Sequence, residues 1–114
     1  WHLPRAVGQA RAMGLALTAR KLSAQQAADW GLIWETVVAD AFEAHVTEVA
    51  EQLAIMPTRA LVETRDAIKS AGDRTLEAHL SFEAEMMARL GRSDDYIEGV
   101  AAFLEKRTPN FKGL

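Results

Sequence analysis

The chain has 114 residues, of which 49% are hydrophobic and 25% charged, with a formal net charge of −3. That length suits one domain with a usable core, and the composition excludes wholesale disorder, which needs low hydrophobicity and high net charge. The mild acidity leaves no general basic footprint for nucleic acid, and the absence of cysteine removes disulfides, thiol nucleophiles and thiolate metal sites.

No apolar run reaches the roughly 18–20 residues of a membrane span, and no signal-peptide core opens the chain, so no membrane partner is expected. The lack of cysteine fits a reducing cytosol, and a cytoplasmic location is expected. Trp1 stands first without an initiator Met, an opening that suits a processed end or a fragment of a longer chain.

Pro4 fits the first turn of a helix, where its missing N–H costs nothing. Leu3, Val7, Ala10, Met13, Gly14 and Leu17 follow at three- and four-residue spacing, which predicts a helix to about Thr18–Arg20 with one buried face. Gly8 and Gly14 each weaken that helix by up to about 1 kcal/mol, so close packing against another backbone is expected there. Ser23-Ala-Gln-Gln26 is a capping-box pattern opening a short helix that Gly31 ends. Leu32 to Val38, rich in β-branched and aromatic residues, reads as an extended segment or short strand.

Asp40 is expected to cap a longer helix with Phe42, His45, Val46, Val49, Ala50 and Leu53 on its apolar face. Pro57 separates it from a helix carrying Leu61, Thr64 and Ile68, which Gly72 closes. Thr75 begins the next, through Leu76, Leu80, Phe82, Met86, Met87 and Leu90, stopped by Gly91. Ser93 caps the last, with Asp94 and Asp95 in the first turn, where carboxylates favour the positive end of the helix dipole. Its expected core stripe is Tyr96, Ile97, Val100, Phe103 and Leu104, and Pro109 begins a tail. The fold class is therefore all-α, about six helices with at most one short extended segment. Several stripes are wide enough to serve more than one neighbour, and another subunit or another part of the same protein would cover the excess.

The residues suggest no catalytic constellation. His2, His45 and His79 are far apart and lack metal-ligand spacing. His45 and His79, on or beside apolar faces, read as packing residues. Glu83/Glu85 and Asp94/Asp95 read as a solvated face and a helix start. Trp1, Trp30 and Trp34 read as core or interface anchors. No phosphate-cradling glycine motif occurs. Glu105-Lys106-Arg107 and Lys112 admit two readings: cations complementing a helix C-terminus, or a phosphate contact.

Taken together, Leu3-Pro4-Arg5-Ala6-Val7-Gly8, Ala12-Met13 and Leu22-Ser23-Ala24-Gln25-Gln26-Ala27 leading to Trp30-Gly31-Leu32-Ile33 resemble the second half of crotonase-superfamily enzymes, the enoyl-CoA hydratases and isomerases. Pro57-Thr58 and Glu98-Gly99-Val100-Ala101-Ala102-Phe103-Leu104-Glu105-Lys106-Arg107-Thr108-Pro109-Asn110-Phe111 extend the resemblance to the end of the chain. Gly91-Arg92-Ser93-Asp94-Asp95-Tyr96 and Trp30-Gly31-Leu32-Ile33-Trp34 look most like the phenylacetate-degradation branch, which includes the isomerase that converts ring-epoxidised phenylacetyl-CoA to its oxepin form.

The resemblance implies that residues 1–114 are the C-terminal helical (trimerisation) region of a crotonase-like enzyme, with the N-terminal ββα spiral core absent from this chain. It implies a homotrimer or a hexamer built as a dimer of trimers, an acyl-CoA substrate, and no prosthetic group, coenzyme A entering only as part of the substrate. Both oxyanion-hole donors and the usual carboxylates would precede Trp1, so no catalytic residue is assigned and no metal is expected. Lys106 matches a lysine that reaches the phosphates or adenine end of coenzyme A, often in a neighbouring subunit's site. Phe103 matches a position lining that adenine region, Met87 one that is aromatic in some hydratases, and Trp1 and Leu3 would lie near the acyl pocket. An epoxide isomerase and an enoyl-CoA hydratase are the two enzymatic expectations. An autonomous helical interaction module is the alternative, and the acidic charge disfavours a helix-turn-helix DNA binder.

Overall fold

The computed structural model describes residues 1–114 and contains seven α-helices and no strand. They are α1 (His2–Val7), α2 (Gln9–Thr18), α3 (Ala24–Asp29), α4 (Phe42–Ala54), α5 (Thr58–Ser70), α6 (Leu76–Leu90) and α7 (Asp94–Glu105), with single 3-10 turns at Ala39–Ala41 and Ala71–Asp73. The residues group into two compact units, Trp1–His45 and Val46–Leu114, the division falling inside α4.

In the first unit the expected opening helix is broken in two. Gly8 adopts φ 81°, ψ 159°, a backbone region essentially closed to residues with a Cβ, so α1 stops and α2 starts at that one residue. Gly8 N–H closes α1 on Pro4 O at 3.0 Å, and Ala12 N–H opens α2 on Gly8 O at 3.1 Å. The two short helices pack together, burying Val7 and Ala12. A Cβ on Gly8 or Gly14 would meet no atom within 4 Å, so neither glycine marks the close backbone packing that the sequence suggested.

The capping box of α3 forms as expected. Gln26 N–H donates to Ser23 Oγ at 3.1 Å, and Ser23 N–H donates back to Gln26 Oε1 at 3.4 Å. Gly31, at φ 75°, then ends the helix in a Schellman turn: Leu32 N–H reaches Ala27 O at 2.9 Å and Gly31 N–H reaches Ala28 O at 2.9 Å. The stretch after it bends and runs without regular structure to Val38, since no neighbouring strand supplies ladder hydrogen bonds. Asp40 lies inside a 3-10 turn and caps nothing; Val38 holds the N-cap position, without a side-chain cap.

In the second unit α5 packs against α6, joined by an Arg89–Glu63 ion pair at 2.8 Å. Thr75 caps α6 by accepting Ala78 N–H at 3.3 Å, and Ser93 caps α7 by accepting Tyr96 N–H at 3.2 Å. Helix α5 ends at Ser70 in the 3-10 turn that contains Gly72. The buried positions of this unit are Ala67, Met86, Ala102 and Asp95.

That list reverses the expectation for α7. The stripe Tyr96, Ile97, Val100, Phe103 and Leu104 is exposed, Phe103 at 82%, whereas Ala102 is 1% and the carboxylate-bearing Asp95 5% exposed. No large side chain anywhere in the chain is fully buried. The tryptophans are not core residues either: Trp1 and Trp34 are exposed, and half-buried Trp30 lies under the guanidinium groups of Arg11 and Arg20 at 5.1 and 5.8 Å.

Candidate functional site

Helix α7 and the tail after it build a concave apolar surface. Glycine at 99 leaves room beside α7 for the Phe111 ring, whose Cε1 would lie 3.4 Å from a Cβ there. Gly113 holds φ 74°, and a Cβ on it would come 3.0 Å from Thr58 Oγ1, so any other residue there would strain the backbone and push Thr58 aside where the tail lies against the start of α5. Phe111 and Leu114 thereby join Pro57, Ala60, Tyr96, Val100, Phe103 and Leu104 around an apolar groove of about 450 Å³.

Two carboxylates hold the tail in place. Lys112 N–H and Gly113 N–H donate to Asp95 Oδ1 and Oδ2 at 2.6 and 2.8 Å. Asn110 N–H donates to Glu98 Oε1 at 2.8 Å, and Arg107 grips Glu98 in a fork, Nη1 to Oε1 at 2.6 Å and Nη2 to Oε2 at 2.8 Å. The hydrogen-bonded Arg107 guanidinium, with the Asn110 amide, pulls the Glu98 pKa down to about 2. Hydrogen bonds to Glu98 and then Glu105 raise the already high pKa of Arg107.

Lys106 occupies the residue past the end of α7 and takes the left-handed conformation, φ 54°, ψ 40°. Its turn is a Schellman motif, Arg107 N–H reaching Ala102 O at 3.0 Å and Lys106 N–H reaching Phe103 O at 3.3 Å. Its exposed ammonium makes no ion pair, in contrast to Arg107 beside it. Of the two sequence readings of this cluster, Arg107 serves structure, whereas Lys106 remains available to an anion.

The structure brings only some of the expected site residues together. Phe103 lines the apolar groove, and Lys106 follows on the same segment without lining it. Met87 is exposed on α6 and does not line the groove. Trp1 and Leu3 belong to the first unit, where they line a shallower groove with Pro4, Gln9, Ala12 and Met13. Exposed Trp1 carries the Arg5 guanidinium 3.3 Å above its ring.

Asp95, Glu98, Gly99, Phe111 and Gly113 were not singled out as site builders by sequence reasoning. The Ser93-Asp94-Asp95 start gives no local sign that one carboxylate faces solvent and its neighbour a folded-back tail. The histidines form no acid–base set. His45 Nε2 is 2.8 Å from Glu35 and His79 Nε2 3.1 Å from Glu83. Buried His79 Nδ1 has no partner. No group of side chains has metal-ligand geometry, and no helix is long and apolar enough to cross a membrane. The assembled chemistry suits binding of an apolar group and an anion.

Comparison with known proteins places this arrangement in a family. The enoyl-CoA hydratase/isomerase family model matches residues 1–114. The chain is 47% identical over 113 residues to the 1,2-epoxyphenylacetyl-CoA isomerase of Escherichia coli, covering 99% of this chain and 43% of that protein. It is 48% identical, again over 113 residues, to a Rhodobacter capsulatus protein named as a probable enoyl-CoA hydratase, covering 99% of this chain and 44% of that protein. The crystal structure of an enoyl-CoA hydratase from Bacillus anthracis superposes with a TM-score of 0.90 at 35% identity, covering 98% of this chain and 43% of that one. The chain thus spans less than half the length of these relatives. With a family match along its whole length and the same helical arrangement in solved relatives, this chain belongs to the enoyl-CoA hydratase/isomerase family of the crotonase superfamily.

Proposed function

We propose that this chain is the C-terminal helical segment of a cytoplasmic CoA-thioester hydratase or isomerase, and that it contributes subunit-assembly surface and one edge of the coenzyme A site. The observation that carries the binding role is the unpaired Lys106 ammonium at the end of the α7 face that presents Phe103 and Leu104. An ammonium pairs well with phosphate oxygens, and an exposed aromatic ring offers a stacking face to an adenine. The open stripes of α4, α6 and α7 support an assembly role, because large apolar side chains left exposed along helix faces mark interaction sites. A homotrimer, alone or paired into a hexamer, is the assembly we propose, with Trp1, Leu3 and Met87 contributing toward the acyl or coenzyme A pocket.

The reaction we favour is isomerisation of ring-epoxidised phenylacetyl-CoA, supported by the likeness to the Escherichia coli isomerase. Hydration of an enoyl-CoA is the second reading, supported by the comparable likeness to the Rhodobacter capsulatus protein. In both, the oxyanion-hole donors and proton-transferring carboxylates belong to the remainder of the longer enzyme. The longer enzyme, assayed side by side, is expected to convert the epoxide and to hydrate crotonyl-CoA poorly; efficient hydration with no epoxide conversion reverses the choice. The 114-residue chain alone is expected to turn over neither, and measurable turnover would remove the division of labour proposed. Lys106→Ala in the longer enzyme is expected to raise KM for CoA thioesters more than it lowers kcat, since the contact is remote from the bonds that change. Equal losses in both, with unchanged coenzyme A affinity, would remove the phosphate role.

A further inference from the structure

We infer that Glu98 is a positioning residue for Lys106: it ties down Arg107 and the chain beyond it, so that the turn presents a single free cation in one direction. The inference deepens the coenzyme A reading above and rests on it.

Lys106 sits in the left-handed position of a Schellman turn, where glycine is usual and a residue with a Cβ costs about 1–2 kcal/mol. Such a backbone persists only where its surroundings hold it. Glu98 supplies that hold, accepting the Arg107 fork on one side and Asn110 N–H on the other. One carboxylate therefore fixes the chain immediately after Lys106 and again three residues further on.

The same carboxylate decides which cation is free. Arg107 spends Nη1 and Nη2 on Glu98, Nε on Glu105 at 2.6 Å, and further donates from Nη1 to Thr108 O at 3.3 Å. Its charge is matched and its fork occupied. The Lys112 ammonium acts electrostatically on Glu98, helping to keep that carboxyl ionised. Lys106 alone in the Glu105-Lys106-Arg107 sequence lacks a side-chain partner. A guanidinium is the better bidentate phosphate ligand, so an unpaired Arg107 would compete for the anion in a different geometry. The Glu98 pairing removes that competitor.

The test uses the longer enzyme, with free coenzyme A titrated by calorimetry and kcat and KM measured on crotonyl-CoA or the epoxide, whichever it turns over. Glu98→Gln, Lys106→Ala and the double variant form a cycle, and Arg107→Ala, alone and with Lys106→Ala, cuts the same pair from its other side. Glu98→Gln is expected to weaken coenzyme A binding about three- to tenfold, with KM rising and kcat retained. The double variant should bind no more weakly than Lys106→Ala alone, because the carboxylate acts only through that lysine. Arg107→Ala loosens the turn without freeing a competing guanidinium, so it should weaken binding less than Glu98→Gln and again add nothing beside Lys106→Ala, and it carries the test if Glu98→Gln does not fold. Additive losses in either cycle, or unchanged or tighter binding in Glu98→Gln beside a weakened Lys106→Ala, would overturn the positioning role. Unchanged coenzyme A binding in Lys106→Ala would instead sink the coenzyme A reading itself, and this inference with it.

Discussion

Lys106 holds a backbone conformation that glycine would hold at lower cost. Lys106→Gly should therefore stabilise the end of α7, by about 0.5–1 kcal/mol after allowing for the looser unfolded chain, and on the proposed phosphate role should weaken coenzyme A binding. A higher thermal midpoint together with a higher Kd is the expected signature; a lower midpoint would mean that the lysine stem packs favourably there. Asp95 is a buried carboxylate whose described partners are two backbone amides of the tail. Asp95→Ala should cost about 2 kcal/mol, since hydrogen bonds to a charged acceptor are lost and two amides must find others, and Asp95→Asn should cost less. Urea denaturation measures the loss, and faster hydrogen exchange at Lys112 and Gly113 locates it. Glu98 adds a pH dependence. Its folded pKa, about 2, lies below its ordinary 4.5. The stability it contributes is therefore fully present above pH 4.5 and is lost as pH falls through about 2. The acid unfolding curve of Glu98→Gln should lack that contribution.

At the scale of elements, helix ends follow short-range chemistry. Ser23, Thr75 and Ser93 each accept an amide three residues on, and Gly31 terminates its helix with a positive φ, as their sequence patterns predicted. Gly8 shows where that reasoning stops. In sequence it is one residue in a helical pattern, and its cost of about 1 kcal/mol against alanine is one a helix can bear. In the structure it has φ 81° and separates two helices. Because a Cβ there would touch nothing, the effect of Gly8→Ala is purely conformational. It should destabilise the α1–α2 pair by about 1–3 kcal/mol, seen as a loss of midpoint in thermal denaturation, unless the two helices fuse, which would appear as increased helical circular dichroism.

Across the whole molecule, apolar surface is the dominant unpaid feature. Each unit buries mainly small side chains, Val7, Ala12 and Ala27 in the first and Ala67, Met86 and Ala102 in the second. Large ones such as Trp34, Leu76, Leu80, Met87, Phe103 and Leu104 stay exposed. Isolated, the 114-residue chain should bind a hydrophobic dye and associate with itself, whereas the longer enzyme proposed above should do so far less. Light scattering and dye fluorescence on the two proteins check this. A dye-silent monomer at high concentration would show that the open stripes need no cover.

The amino-acid sequence by itself determined the all-α class, the caps at Ser23, Thr75 and Ser93, and the stops at Gly31 and Gly91, because these depend on contacts within a few residues. Its motifs also carried the family, which the whole-length match bears out. Only the tertiary structure decided which way faces point. The α7 stripe reads as core from its spacing, yet it lies open, because periodicity reports that a face is apolar and not what covers it. It also decided that Asp95 and Glu98 hold the tail, that Arg107 is spent on an ion pair, and that Lys106 is left free. Those outcomes depend on the chain folding back on itself across 9 to 18 residues, a distance over which local patterns carry no information.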